Sequence, residues 1–214
     1  MSVTIFGIPG SPYVRAALLG CEEKGVAYEF RHMNFGDSKS PEHLARHPFG
    51  RIPAFQHDGF ALYETQAILR YVDAVFPGAA MQPSEPRAAA RMNQFIGICD
   101  WYFFPQVSAT IGFQRLIKPM MGGSTDEEAC AAALPDAARC IKEVTHLMGD
   151  GPYLAGADVS IADLMLAPQM AFFAMTPEGE TLLAGAPNVT AWLARMEARE
   201  SMIKTDFFPK AKAA

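Results

Sequence analysis

Ser11 stands between a short β-branched run, Val3-Thr4-Ile5-Phe6, and a stretch whose apolar residues Val14, Ala17, Leu18 and Cys21 fall at helical spacing. The residues between are Gly7, Pro9, Gly10 and Pro12, which read as a loop. A strand-to-helix junction offers free backbone N–H groups and the positive end of the helix dipole, so it favours a negative charge. A thiolate is such a charge: a free thiol has a pKa of about 8.5 and a helix N-terminus lowers it. Dithiol redox chemistry at this junction needs Cys-x-x-Cys, and the chain has Ser11-Pro12-Tyr13-Val14. Ser11 cannot form a disulfide, but its hydroxyl can donate to the thiolate of another molecule. The plainer reading is that Ser11 is a helix N-cap.

Two further stretches carry binding chemistry. In His47-Pro48-Phe49-Gly50-Arg51-Ile52-Pro53-Ala54, Pro53 opens an apolar run after a β-branched residue. Such an X–Pro bond is a candidate cis peptide. A cis bond there turns the backbone groups of Ile52 outward, where an extended peptide pairs with them as an added strand does. An ordinary loop proline is the alternative. In Glu64-Thr65-Gln66-Ala67-Ile68, Thr65 is a natural N-cap. Its hydroxyl and the following N–H groups suit a carboxylate, and Glu64 beside it suits an ammonium. An α-amino acid needs that combination, although a cap with a solvated neighbour is the simpler account.

These stretches are positioned by an alternating first third. After the Val3–Phe6 strand and the first helix, Tyr28 to Met33 has period two and reads as a strand. Ser40-Pro41-Glu42 starts a helix, with Ser as cap and Pro as first helical residue. Residues 52–56 and 60–63 bracket His57-Asp58-Gly59, a hairpin signature. An amphipathic helix spans Thr65 to Val75. The order is βαβαββα, assigned to residues 1–77, with a proline-rich linker at 78–86. From 87 to 214 the pattern is wholly helical and ends in a small Ala/Lys tail. A long helix runs from Arg87 to Leu116 with a kink expected at Pro105. Ser124-Thr125-Asp126-Glu127 reads as a capping box, Ser160-Ile161-Ala162-Asp163 as a second, and a last helix starts near Pro187-Asn188. The fold class is therefore α/β followed by all-α.

Composition narrows the partners. The chain has 214 residues, half of them hydrophobic, and a formal charge of −5. That is enough apolar sequence for a sizeable core, and too acidic a balance for a nucleic-acid reading. No run of about 18 apolar residues exists, the longest candidate being broken by Pro168 and Gln169. The N-terminus lacks the basic and apolar regions of a secretory signal. Cys21, Cys99, Cys130 and Cys140 have no zinc-ligand spacing, and His32, His43, His57 and His146 no metal pattern. No metal or cofactor is expected, and a cytoplasmic location with reduced thiols is.

A thiol site, a peptide-backbone clamp and an amino-acid clamp in one thioredoxin-like domain describe a binding site for glutathione. The chain resembles the cytosolic glutathione transferases. Ile5-Phe6-Gly7-Ile8-Pro9-Gly10-Ser11, "SPEHLARHPFGRI" at 40–52 and "ETQAILRY" at 64–71 are similar to phi-class or bacterial serine-type members. Ser160 to Asp163, after Tyr153-Leu154-Ala155-Gly156, is similar to the family's folding motif. The resemblance implies that Ser11 hydrogen-bonds the glutathione sulfur. It implies that Ile52, with Pro53 in cis, clamps the cysteinyl backbone, and that Glu64 and Thr65 hold the γ-glutamyl end. Lys39 falls where a basic residue meets the glycyl carboxylate. Arg51 replaces Gln or Lys and could pair with a glutathione carboxylate or with Glu64. Thr65 replaces Ser, His47 replaces Asn, and Ser38 replaces a frequent His at the glycyl-carboxylate contact.

The resemblance also implies a homodimer and an apolar electrophile site lined by the helical domain. Tyr102, Phe103 and Phe113 are the candidates, from a cluster with Trp101, Phe104, Met120 and Met121. Four consecutive aromatics cannot all face one way, so some of these are core. Phe172, Phe173, Phe207 and Phe208 could contribute. Tyr13 is an alternative hydroxyl, and Asp100 could reach a neighbouring subunit. The activity expected is conjugation of the glutathione thiolate to apolar electrophiles. The alternatives are peroxidase, isomerase or dehalogenase chemistry on the same fold, or a non-catalytic ligand carrier or adaptor.

Overall fold

A computed structural model describes residues 2–208; the Ala/Lys tail lies outside the described residues. They fall into two compact units. One holds the residues up to Met81 together with those from Arg199 on, and the other spans Gln82–Ala198.

The first unit is built on β1 (Val3–Gly7), α1 (Pro12–Glu23), β2 (Tyr28–His32), α2 (Pro41–Arg46), β3 (Ala54–His57), β4 (Phe60–Tyr63) and α3 (Thr65–Val75). A single 3-10 turn, Asp37–Lys39, precedes α2. The sheet order is β2-β1-β3-β4, with β1 and β2 parallel and the other pairs antiparallel. The hairpin expected at Asp58-Gly59 is present. Both residues have positive φ, 46° and 87°, the combination that matches the twist of the flanking strands. Val3 and Ile5 point from β1 into a core shared with Val14 and Leu18 of α1, Phe55 of β3, and Ile68, Leu69 and Val72 of α3. Lys24, almost fully buried, donates to Asp73 and to the Ala79 carbonyl, and Asp73 also accepts the Met81 N–H. The start of the proline-rich stretch is thereby tied to α1 and α3. The residues from Arg199 on carry a short helix, α10 (Glu200–Lys204); their helical pattern reads like the rest of the second half, but they pack with the first unit.

The second unit contains α4 (Pro86–Ile98), α5 (Lys118–Met120), α6 (Glu127–Met148), α7 (Ile161–Ala174), α8 (Pro177–Ala184) and α9 (Pro187–Glu197). Between α4 and α5 the chain runs as a π-helix over Cys99–Ile117. A kink was expected at Pro105. Pro105 removes one N–H from the ladder, and Thr110 Oγ1 donates to its carbonyl at 2.7 Å. That accounts for a wide turn at one point; nothing local accounts for its extent over 19 residues. The helix after it opens two residues later than the expected capping box. Asp126 is the cap, accepting the Ala129 N–H, whereas Thr125 donates to the Gln114 carbonyl. The second box forms: Asp163 accepts both the N–H and the hydroxyl of Ser160. It also accepts the Leu154 N–H and Trp192 Nε1–H, so one fully buried carboxylate joins the preceding loop, α7 and α9. Of α7, every residue but Ala174 is buried. No helix among the described residues is long and apolar enough to cross a membrane.

Candidate active site

The strand register brings the three candidate stretches to one end of the sheet. Phe6, near the end of β1, pairs with Ala54, the first residue of β3, and Ala54 pairs with Tyr63, the last of β4. The loop to Ser11, the Ile52-Pro53 pair and the Glu64-Thr65 pair therefore all leave the sheet at this end. β2 is parallel to β1, so His32 ends there too.

Ser11 occupies the N-cap position of α1, with Pro12 as the first helical residue. Its backbone is extended and its carbonyl accepts the Arg15 N–H at 2.9 Å. Its hydroxyl makes no capping hydrogen bond. The simpler N-cap reading thus holds for its backbone and not for its side chain. The hydroxyl stands at the positive end of the α1 dipole without being committed to the helix.

The Ile52–Pro53 bond is cis. Pro53 is buried, Ile52 half-buried and Arg51 exposed. Lys39 comes to the same stretch: its Nζ and Cδ lie 2.8 Å and 3.0 Å from where a side chain on Gly50 would begin. Gly50 has φ +59°, so a larger residue would be strained there as well as crowded. Two buried histidines stand behind the stretch. His43 donates from Nε2 to the Arg51 carbonyl at 2.7 Å, and its ring stacks on that of His47 at 6.1 Å. His47 in turn lies 4.6 Å from the Tyr63 ring, at the end of the strand that leads to Glu64. Their Nδ1 atoms are buried and have no hydrogen-bond partner among the described residues. Burial pushes the His47 imidazole below the ordinary histidine range, and the Glu64 carboxylate opposes that shift. His43, which shows no metal pattern in the sequence, is a buried structural ring, and its bond to Arg51 was not legible from residue type.

Glu64, not Thr65, is the N-cap of α3; Thr65 is the first helical residue. Glu64 has φ +70° and ψ 112°, a sparsely populated conformation for a side-chain-bearing residue. Such strain costs on the order of 1–3 kcal/mol and clusters at functional sites. It leaves the Glu64 side chain exposed while Thr65 is buried at the helix N-terminus. An exposed carboxylate beside buried helix N–H donors is the pairing that an amino acid's ammonium and carboxylate require.

In the second unit the aromatic cluster divides. Phe103 is fully buried, edge-on to Phe173 at 6.2 Å, and is core. Trp101 and Tyr102 are 78% and 64% exposed and line a recess with Ile98 and Arg139. Phe113, Met120 and Met121 are exposed. The four cysteines are free and buried; burial pushes the Cys21 thiol up to about 12 and the Cys140 thiol up to about 11, which makes them poor nucleophiles. Among the described residues no group of three His, Cys, Asp or Glu could hold a metal ion.

A small mixed sheet with a hydroxyl at its first helix and the two candidate clamp stretches at the same end, followed in sequence by a helical unit, is the plan of the thioredoxin-fold transferases. Comparison with known proteins agrees. Residues 1–74 match the glutathione S-transferase N-terminal domain and residues 127–195 the glutathione S-transferase C-terminal domain. The chain is 28% identical over 207 residues to glutathione S-transferase F6 of Arabidopsis thaliana, covering 94% of this chain and 98% of the relative. It is 32% identical over 208 residues to the probable glutathione S-transferase GSTF1 of Oryza sativa subsp. japonica, covering 94% of each. The solved structure of maize glutathione S-transferase I in complex with an atrazine glutathione conjugate is similar with a TM-score of 0.82 and 30% identity, over 95% of both chains. The chain belongs to the glutathione S-transferase family, in its phi-like branch, and is an enzyme of that kind.

Proposed function

We propose that the protein conjugates the glutathione thiolate to apolar electrophiles, with Ser11 stabilising the thiolate. The observation that carries this reading is the uncommitted Ser11 hydroxyl at the α1 N-terminus, at the sheet end that also bears the two clamps. Ile52 pairs with the cysteinyl backbone. Glu64 receives the γ-glutamyl ammonium, and Thr65 with the α3 N-terminus receives its carboxylate. Lys39 and Arg51, both exposed and close to Gly50 in space or sequence, take the glycyl carboxylate. Tyr102 and Phe113, exposed on the π-helix, are the apolar residues this reading assigns to the electrophile. The protein works as a homodimer in the cytoplasm, and needs glutathione as co-substrate and no metal.

The chemistry asked of the protein is modest. Binding supplies orientation, and the hydroxyl and helix dipole hold the sulfur as the thiolate at neutral pH. Ser11→Ala should still bind glutathione, with the titration heat little changed. Its turnover should fall about 100-fold, the worth of one donor on a reacting anion. The thiolate absorbance of bound glutathione should shift to higher pH in the same variant. Unchanged turnover would remove Ser11 from the mechanism. A hydroperoxide assay run beside the conjugation assay separates transferase from peroxidase chemistry.

A further inference from the structure

Between α2 and the cis peptide the chain is turned back on itself, and one histidine holds the return. The Ser40 hydroxyl accepts the His43 N–H at 3.2 Å at the start of α2. The His47 N–H donates to the His43 carbonyl, and the Gly50 N–H to the His47 carbonyl, each at 2.8 Å. The chain then brings the Arg51 carbonyl to His43, where it accepts from Nε2 at 2.7 Å. A carbonyl only accepts, so the His43 proton sits on Nε2 and Nδ1 carries a lone pair. His43 is 1% exposed, and its ring stacks on that of His47, which is itself buried against the Tyr63 ring. The donor is thereby packed in place.

The direction of this bond fixes a second group. Ile52–Pro53 is the cis bond among the described residues, so the Arg51–Ile52 peptide is trans and planar. In a trans peptide the C=O and the N–H point opposite ways. With the carbonyl turned onto the buried His43 ring, the Ile52 N–H is turned away from it. Among the described residues that N–H donates to no backbone carbonyl. Pro53 has no N–H to offer, so an extended ligand that pairs here as an added strand takes its donor from Ile52.

We propose that His43 is the positioning residue of the peptide clamp: by taking the Arg51 carbonyl it aims the Ile52 N–H at the cysteinyl carbonyl of glutathione. This rests on the transferase reading. His43 touches no substrate and acts through one peptide plane. Without its donor the Arg51 carbonyl faces a buried ring unpaired, which costs free energy, so the plane rotates to find water and the Ile52 N–H swings with it. The role needs a donor at the place of Nε2. Gln carries its amide nitrogen the same number of bonds from Cβ as His carries Nε2, whereas Asn falls one bond short and Phe has no donor. Gln and Asn are alike in polarity and differ in reach.

The test compares His43→Gln, His43→Asn and His43→Phe with the unaltered protein. Calorimetry reads the affinity for glutathione, and steady-state assays with 1-chloro-2,4-dinitrobenzene read KM for glutathione and kcat separately. His43→Asn and His43→Phe should weaken glutathione binding roughly tenfold, the worth of one hydrogen bond to the ligand. Their KM should rise by a similar factor while kcat at saturating glutathione stays within about twofold, because Ser11 and not Ile52 holds the sulfur. His43→Gln should restore both affinity and KM to within about threefold of the unaltered protein. With 15N-labelled isoleucine, the Ile52 amide proton should move downfield on adding glutathione to the unaltered protein and to His43→Gln, and should not move in the other two. If His43→Phe does not fold, the Gln and Asn pair decides. Equal affinity in His43→Gln and His43→Asn, or a fall in kcat that matches the fall in affinity, overturns the role of His43. If the unaltered protein binds no glutathione, the transferase reading fails and the role falls with it. If it binds glutathione and the variants bind it equally well, the role alone fails.

Discussion

In the proposed reading, the hydroxyl of Thr65 binds glutathione directly, whereas the ring of His47 stands behind the site. Thr65 is buried at the start of α3, where its hydroxyl meets little competition from water. Thr65→Val keeps the shape and removes the donor. Its glutathione affinity should fall roughly tenfold, the worth of one hydrogen bond to a charged group, as titration calorimetry would read. His47 packs against the Tyr63 ring and feels the Glu64 carboxylate. Its imidazole is held below the usual range by burial, so below about pH 6.5 the unfolded chain takes up a proton that the folded chain resists. Stability should therefore be full above that pH and fall as the pH drops toward the folded value. Urea melts at pH 7.5 and 5.5 should show the loss, and His47→Asn should flatten it. At this scale the placement of Ser11, Pro53 and the Glu64-Thr65 pair at element junctions was legible, because these residue types mark such junctions. The cap at Glu64 was misplaced by one residue because its positive φ leaves no mark in the sequence. Phe103 could not be separated from Tyr102 because adjacent residues on a helix differ in facing, which periodicity gives only once the helix type is known.

The start of a helix can be decided by bonds that run outside the helix itself. Ser124-Thr125-Asp126-Glu127 offers three possible caps, and the Gln114 side chain and carbonyl settle the choice by engaging Asp126 N–H and Thr125. Asp126→Ala should cost about 1 kcal/mol of stability in thermal or chemical melts, whereas Ser124→Ala should cost nothing measurable. An equal loss from both would favour the earlier cap. Most of the elements of the first unit were legible from alternation, turn dipeptides and proline at helix starts. The π-helix was not, since each of its hydrogen bonds reaches one residue further than in an α-helix and that carries no separate composition. α10 was missed for another reason: five residues are too few to show a period.

Across the molecule, one buried acid ties more of the chain together than any cap. Asp163 satisfies two N–H groups, a hydroxyl and the Trp192 indole. Asp163→Ala strands these donors in a dry interior and should cost about 3–5 kcal/mol, read as a large fall in the denaturation midpoint of the second unit. The Ser160–Asp163 motif was visible in the sequence; its reach to Leu154 and Trp192 was not, because it depends on which helices meet. The two-part plan was legible from the switch in period after the prolines. The return of the last described residues to the first unit was not, because the Arg15 and Glu23 bonds that hold them span most of the chain. The second unit is thus an insertion within the first. During synthesis the ribosome releases the sheet early and the segment from Arg199 to Phe208 only after the second unit. The flank of α1 that carries Arg15 and Glu23 therefore stays uncovered in the nascent first unit until the whole of the second has emerged.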